Sequence, residues 1–196
     1  KLLPQLKESS EMDISSFYAY LTRARRDLVS CLEKVPDDLL SRALIGGSKF
    51  HSIKDLLFHI AEAEDGWLNM ELLGREPVLE SYPSLLAELG RPSYGKFPLE
   101  HILEYWREVE EKSTKTLAQT TRTDLDLRIE VEDLQKEGGD NPVRTTLESL
   151  LWHVLQHEVR HTAQIVLLLR QQGITPPSLD LLFYLPIDVN PTDSRL

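Results

Sequence analysis

The chain has 196 residues, of which 41% are hydrophobic and 28% charged. That is an ordinary globular balance with no sign of disorder, and it suits one domain over residues 1–196. A formal net charge of −10 opposes a phosphate backbone or an anionic bilayer, so neither nucleic acid nor membrane is an expected partner.

Lys1 to Ser10 lack the apolar core of a signal peptide, and no apolar run has the length of a membrane span. The single cysteine, Cys31, excludes an internal disulfide framework. It falls among Leu28, Leu32 and Val35 and reads as a small core residue. A cytoplasmic location follows as the default expectation.

The first helix is expected from Asp13 to Lys34, with Phe17, Leu21, Ala24, Leu28, Cys31 and Leu32 at helical spacing. Pro36-Asp37-Asp38 stops it and starts a short turn, and Gly46-Gly47 breaks the chain. Ser52 and Asp55 form an S-x-x-D start signal ahead of Ile53, Leu56, Leu57, Ile60 and Ala63. Gly74 ends this second helix, and Pro77, Pro83, Gly90, Pro92 and Gly95 mark a long loop. A third helix is expected from Pro98 to Gln119, with Ile102, Tyr105, Trp106, Val109 and Leu117 on its apolar side.

Leu125, Leu127, Ile129 and Val131 alternate with charged residues, the pattern of a short half-buried strand or extended arm, and Gly138 to Pro142 is a turn. Thr145 and Glu148 have the spacing of a capping box at the start of the fourth long helix, and Gly173 lies just past its end. The tail from Ile174 is rich in proline and apolar residues. Leu181, Leu182, Phe183, Tyr184 and Leu185 are expected to cover one end of the helices. Four long helices, each with one apolar stripe, predict an all-α four-helix bundle.

The chemistry concentrates in histidines. His153, His157 and His161 stand at i, i+4 and i+8 on the fourth helix, which stacks them along one side. At about 100° per residue, His161 falls inside the apolar stripe, His157 on its edge, and His153 towards solvent. The expected pair is therefore His157 and His161, because imidazoles one turn apart reach one ion with little distortion. His59 lies on the flank of the second helix beside Ala63 and Gly66, whose small side chains leave room. Neighbouring helices would let it face the pair, and three imidazoles on one ion leave positions open for chemistry.

Two other motifs overlap these residues. His157-Glu158-Val159-Arg160-His161 matches the H-E-x-x-H signature of zinc metalloproteases letter for letter, with Asp180 or Asp188 available as a downstream ligand. Such enzymes bring a peptide-binding sheet edge, and this chain offers one short strand. Glu158 and His161 also form the E-x-x-H unit of di-iron bundles, but Leu56 stands three residues before His59, so the second unit is missing.

Ser52-Ile53-Lys54-Asp55-Leu56-Leu57-Phe58-His59-Ile60 resembles the first histidine motif of the DinB-like proteins. His157-Glu158-Val159-Arg160-His161-Thr162-Ala163-Gln164-Ile165 resembles their H-x-x-x-H-x-x-Q motif. The resemblance covers nearly the whole chain in order and spacing. It implies an up-down-down-up four-helix bundle and one divalent ion on His59, His157 and His161, most often nickel or zinc, with iron or manganese as alternatives. Thr162-Ala163 replaces the Arg-Gly found in many members after the last histidine. This departs from the pattern without touching the ligands.

Some relatives transfer low-molecular-weight thiols such as bacillithiol or mycothiol, and a few are thiol-dependent isomerases. The resemblance thus implies a metal-dependent thiol S-transferase or hydrolase acting on small electrophilic molecules. A metal-binding stress protein without turnover is the alternative from another class. The family name refers to DNA-damage induction and carries no DNA-binding implication. Related bundles pair as homodimers, and Leu167, Leu168 and Leu169 give the fourth helix apolar surface to spare.

An ion on three neutral ligands would lower the pKa of a bound water to about 7, or hold a thiol as its thiolate. Glu158, on the apolar side of its helix, is expected to bond a ligand imidazole or a nearby Arg or Tyr, with proton acceptor as its lesser role. Glu64 poses the same question. Trp67, Trp106, Trp152 and Tyr184 read as core or cover residues.

Overall fold

The computed structural model describes residues 13–46, 49–71, 76–131 and 142–184. Helix α1 spans Ile14–Leu32 and starts where the Asp13 carboxylate accepts the Ser16 N–H at 2.7 Å. The short α2, Asp37–Ser41, follows Pro36. Helix α3, Ile53–Asp65, opens on the expected capping box of Ser52 and Asp55. It then widens into a π-helical stretch over Gly66–Glu71. The predicted stop at Gly74 lies outside the described residues.

The long loop expected after α3 is built from short turns: a 3-10 turn at Val78–Ser81, helix α4 at Pro83–Leu86 and a 3-10 turn at Tyr94–Lys96. Buried carboxylates hold it. Asp65 accepts the backbone N–H of Val78 at 3.0 Å and of Leu79 at 2.9 Å, and the Tyr105 hydroxyl at 3.1 Å. Asp55 accepts the Tyr94 N–H at 2.9 Å. Such partners are what a buried carboxylate requires, and loop backbone supplies them here.

Helix α5 spans Leu99–Gln119, and the short α6 spans Arg122–Leu125. Strand β1, Arg128–Val131, pairs antiparallel with β2, Val143–Thr146, a partner the sequence pattern did not reveal. The alternation is only half realised. Val131 is buried, but Leu127 precedes the strand and is 53% exposed. The Gly138 turn lies almost wholly outside the described residues.

Helix α7 runs over Leu147–Gln171 and is capped by Thr146, whose hydroxyl accepts the Ser149 N–H. Thr145, expected as the cap, is instead in β2, opposite Ile129. Gly173, at φ +77°, closes α7: its N–H reaches the Arg170 carbonyl, and the Ile174 N–H reaches Leu169. This left-handed termination favours glycine.

The four long helices α1, α3, α5 and α7 form the expected mostly helical bundle, with the two-stranded sheet a minor addition. Helix α3 packs on both α5 and α7, and α1 packs on α7 and more lightly on α5. Leu28, Leu57, Ile60, Ile102, Tyr105, Ile165 and Leu169 are among the buried residues of the main core. No helix of the described residues is long and apolar enough to cross a membrane.

The tail only partly follows expectation. Leu179, Leu181 and Tyr184 pack against a second buried cluster that includes Ile14, Tyr20 and Leu21, and the Tyr20 hydroxyl donates to the Leu179 carbonyl at 2.7 Å. Leu182 and Phe183, expected as cover, are 77% and 71% exposed. They sit in a 3-10 turn over Leu181–Phe183, which cannot face three consecutive side chains inward. Leu185 lies outside the described residues. Leu167, part of the apolar surplus on α7, is 54% exposed, while Leu168 and Leu169 are buried.

Candidate metal centre

Helices α3 and α7 pack side by side and bring His59 against His157 and His161. The capping box fixes where α3 begins, and burial of Leu56, Leu57, Ile60 and Ala61 fixes its rotation, leaving His59 on the flank. On α7, the buried row of Leu150, Leu151, Val154, Ile165, Leu168 and Leu169 carries His161 inward and His157 beside it. His161 is 7% exposed.

His59 Nε2 lies 3.0 Å from His157 Nε2. One ligand nitrogen from each of His59, His157 and His161 lies within 4.8 Å of the others. The rings meet edge-on, with centroids 4.7 Å apart for His59 and His157, 4.9 Å for His59 and His161, and 4.4 Å for His157 and His161. Tetrahedral donors on a zinc ion at about 2.0–2.1 Å would be separated by roughly 3.3 Å. The close pair therefore needs little movement to share an ion. Neutral imidazole is also the donor type suited to zinc, nickel, iron and copper.

Burial, reinforced by the facing His59 and His161, pushes His157 down to about 3. Burial also lowers His161. Both are neutral at physiological pH, the form that can donate to a metal. Phe50 stacks on His59 at 4.0 Å and meets His161 edge-on at 6.0 Å, closing one side.

His153 stays at the exposed edge. Its ring meets Trp67 at 5.9 Å and is 6.3 Å from His157, outside the group of three. Asp180 lies in the exposed tail and accepts from Ser178 at 3.0 Å, away from the histidines, and Asp188 lies outside the described residues.

Glu158 turns away from the histidines. Arg25 donates to it from Nε at 3.1 Å and from Nη2 at 2.7 Å. The same guanidinium reaches Glu64 at 2.9 Å and Glu110 at 2.8 Å. Tyr18 donates to Glu64 at 2.6 Å. Burial raises the Glu158 carboxyl, with Arg25 pulling the other way. Of the partners expected for Glu158, the structure selects the arginine, and it answers the question of Glu64 in the same way.

Sequence reading missed Arg25. The available signal was its position one residue after Ala24 and three before Leu28, inside the apolar stripe of α1. The network also lines a cleft of about 320 Å³ between α1, α7 and the tail, which touches Val159 and Ala163 but none of the three histidines. A second cleft, of about 240 Å³, adjoins His59 and is lined by Lys49, Phe50, Glu62, Arg91 and Tyr94.

A model of the DinB family matches residues 8–192. The chain belongs to the DinB family. Protein DinB of Bacillus subtilis (strain 168) is 24% identical over 168 residues, covering 86% of this chain and 91% of that relative. The solved structure of YfiT from Bacillus subtilis superposes with a TM-score of 0.61 at 18% identity, covering 89% of this chain and 95% of that one. That likeness bears out the DinB-like four-helix bundle.

Proposed function

We propose that this DinB-family chain holds one divalent ion, zinc or nickel, on His59, His157 and His161 and acts as a metal-dependent hydrolase or thiol transferase on small electrophilic molecules. The observation that carries the reading is the convergence of three imidazoles from two helices, with ligand nitrogens within 4.8 Å of one another. YfiT is described as a probable metal-dependent hydrolase with an unusual four-helix bundle topology, and the shared fold makes the same class the starting point here.

An ion bound there supplies Lewis acidity and makes a weak nucleophile, water or a low-molecular-weight thiol, reactive at neutral pH. The chain's residues set the conditions around it. Phe50 and the buried side of α7 exclude water from part of the site. The cleft of about 240 Å³ beside His59 has room for a small molecule. Lys49 and Arg91 on its rim favour a partner with some negative charge.

The metalloprotease reading lacks its base, since both carboxylate oxygens of Glu158 accept from Arg25. It also lacks an extended sheet edge among the described residues, where the only sheet has two short strands. The net charge of −10 supports the absence of a nucleic-acid or membrane partner. The exposed Leu167, Leu182 and Phe183 support a homodimer.

The deciding experiment is elemental analysis of purified protein, followed by a screen of ester, amide and epoxide substrates with and without added thiol. About one ion per chain and turnover lost in His157→Ala are expected. A fully loaded protein with no turnover on any substrate favours the metal-binding stress protein instead.

A further inference from the structure

Each proposed ligand has a different residue three positions later on its own helix: Glu62 after His59, Arg160 after His157 and Gln164 after His161. Two of these can accept, and both lie beside a ring Nδ1. His161 Nδ1 lies 2.7 Å from Gln164 Oε1, and His59 Nδ1 lies 3.4 Å from Glu62 Oε2. The third is a cation. Among the described residues, His157 makes its one hydrogen bond through Nε2, to His59.

A neutral imidazole carries one proton, on either nitrogen, and only the bare nitrogen can bind a metal. An acceptor held at Nδ1 keeps the proton there and leaves Nε2 bare. We infer that Glu62 and Gln164 are positioning residues that fix the tautomer and ring orientation of His59 and His161, so that both present Nε2 to one shared ion. The two are not equivalent. The Gln164 amide oxygen orients its ring through a hydrogen bond at 2.7 Å, while the Glu62 carboxylate faces His59 Nδ1 from 3.4 Å, a looser, electrostatic contact. His157, beside Arg160, is then the least supported ligand, held in place by burial between the other two. This inference rests on the three-histidine reading of the site.

The test is zinc affinity by competition with a chromophoric chelator, read alongside the imidazole ¹⁵N shifts of the metal-free protein. Glu62→Leu and Gln164→Leu, which remove the acceptors, should each weaken zinc about tenfold to a hundredfold, with metal-free melting temperatures like the parent's. Gln164→Glu, which keeps an acceptor, should bind zinc at least as tightly as the parent. In the metal-free parent, His59 and His161 should carry their proton on Nδ1, and Gln164→Leu should shift His161 towards a mixture. A role confined to folding would move melting temperature and leave the tautomer unchanged.

Parent-like zinc affinity in both Glu62→Leu and Gln164→Leu would overturn the inference, as would an Nε2 proton on His161 in the parent. His157→Ala separates the two levels. If it still binds zinc like the parent, the three-histidine reading fails, and this inference with it. If it loses zinc while Glu62→Leu and Gln164→Leu do not, only the positioning role is lost.

Discussion

Arg25 and Glu158 form a two-point pair in the bundle interior, with Nε to Oε1 at 3.1 Å and Nη2 to Oε2 at 2.7 Å. The glutamate of a literal H-E-x-x-H motif thereby becomes part of the helix packing between α1 and α7. Its neighbour His157 faces α3 instead, because consecutive helix positions are about 100° apart.

Removing Arg25 should therefore be costly. Arg25→Met leaves Glu64 and Glu158 buried without their shared cation, a loss of about 3–5 kcal/mol. The midpoint of urea unfolding measures it, and a variant that unfolds like the parent would show that the pair does not hold the bundle. Glu158→Gln keeps the shape but weakens the fork, a loss of roughly 1–3 kcal/mol. It should keep its metal, whereas a ligand or water-activating role would tie Glu158 to the ion or to turnover.

Metal content should separate the histidines. His157→Ala and His161→Ala should lose the ion, since a site of three ligands seldom survives with two. His153→Ala should keep it, because that ring stays at the exposed edge beside Trp67. Equal loss from His153→Ala, measured by elemental analysis, would mean that the wrong pair on α7 was chosen.

The metal-free protein should weaken in mild acid. Burial holds His157 down at about 3 in the folded state, against an ordinary histidine value of 6.5. The unfolded chain thus binds a proton between those values that the folded chain refuses, so stability is full above about pH 6.5 and falls as pH drops towards 3. His161, lowered in the same direction, adds to the effect. Denaturant midpoints of metal-free protein from pH 7.5 to 4.5 test this. A flat profile that His157→Ala leaves unchanged would refute it.

Core and tail should respond oppositely to truncation. Leu57 is fully buried between the helices, so Leu57→Ala should lose about 2–5 kcal/mol. Leu182→Ser with Phe183→Ser should stay within about 0.5 kcal/mol of the parent for the folded chain itself. If the proposed homodimer uses that turn, light scattering will give a dimer mass for the parent and a monomer mass for the double variant. A parent that scatters as a monomer at micromolar concentration ends the dimer proposal.

Local signals in the sequence determined the four long helices, because a helical stripe and its caps depend on residues three and four apart. Asp13, the Ser52 and Asp55 box, and Gly173 all act within a few positions of themselves. The i, i+4 histidines were legible for the same reason, and the angular position of His161 within the α7 stripe already placed it inward. What distant parts of the chain decide was not legible. Strand β2 exists because β1 gives it a partner, and its last residue took over the cap from Thr145. Asp65 became the anchor of a loop thirteen residues away. Only packing could choose Arg25, 133 residues from Glu158, as that glutamate's partner. The sequence alone determined which residues could bind a metal. Tertiary structure decided that His59, 98 residues from His157, stands opposite it, because helix rotation is set by the whole core and not by the helix itself.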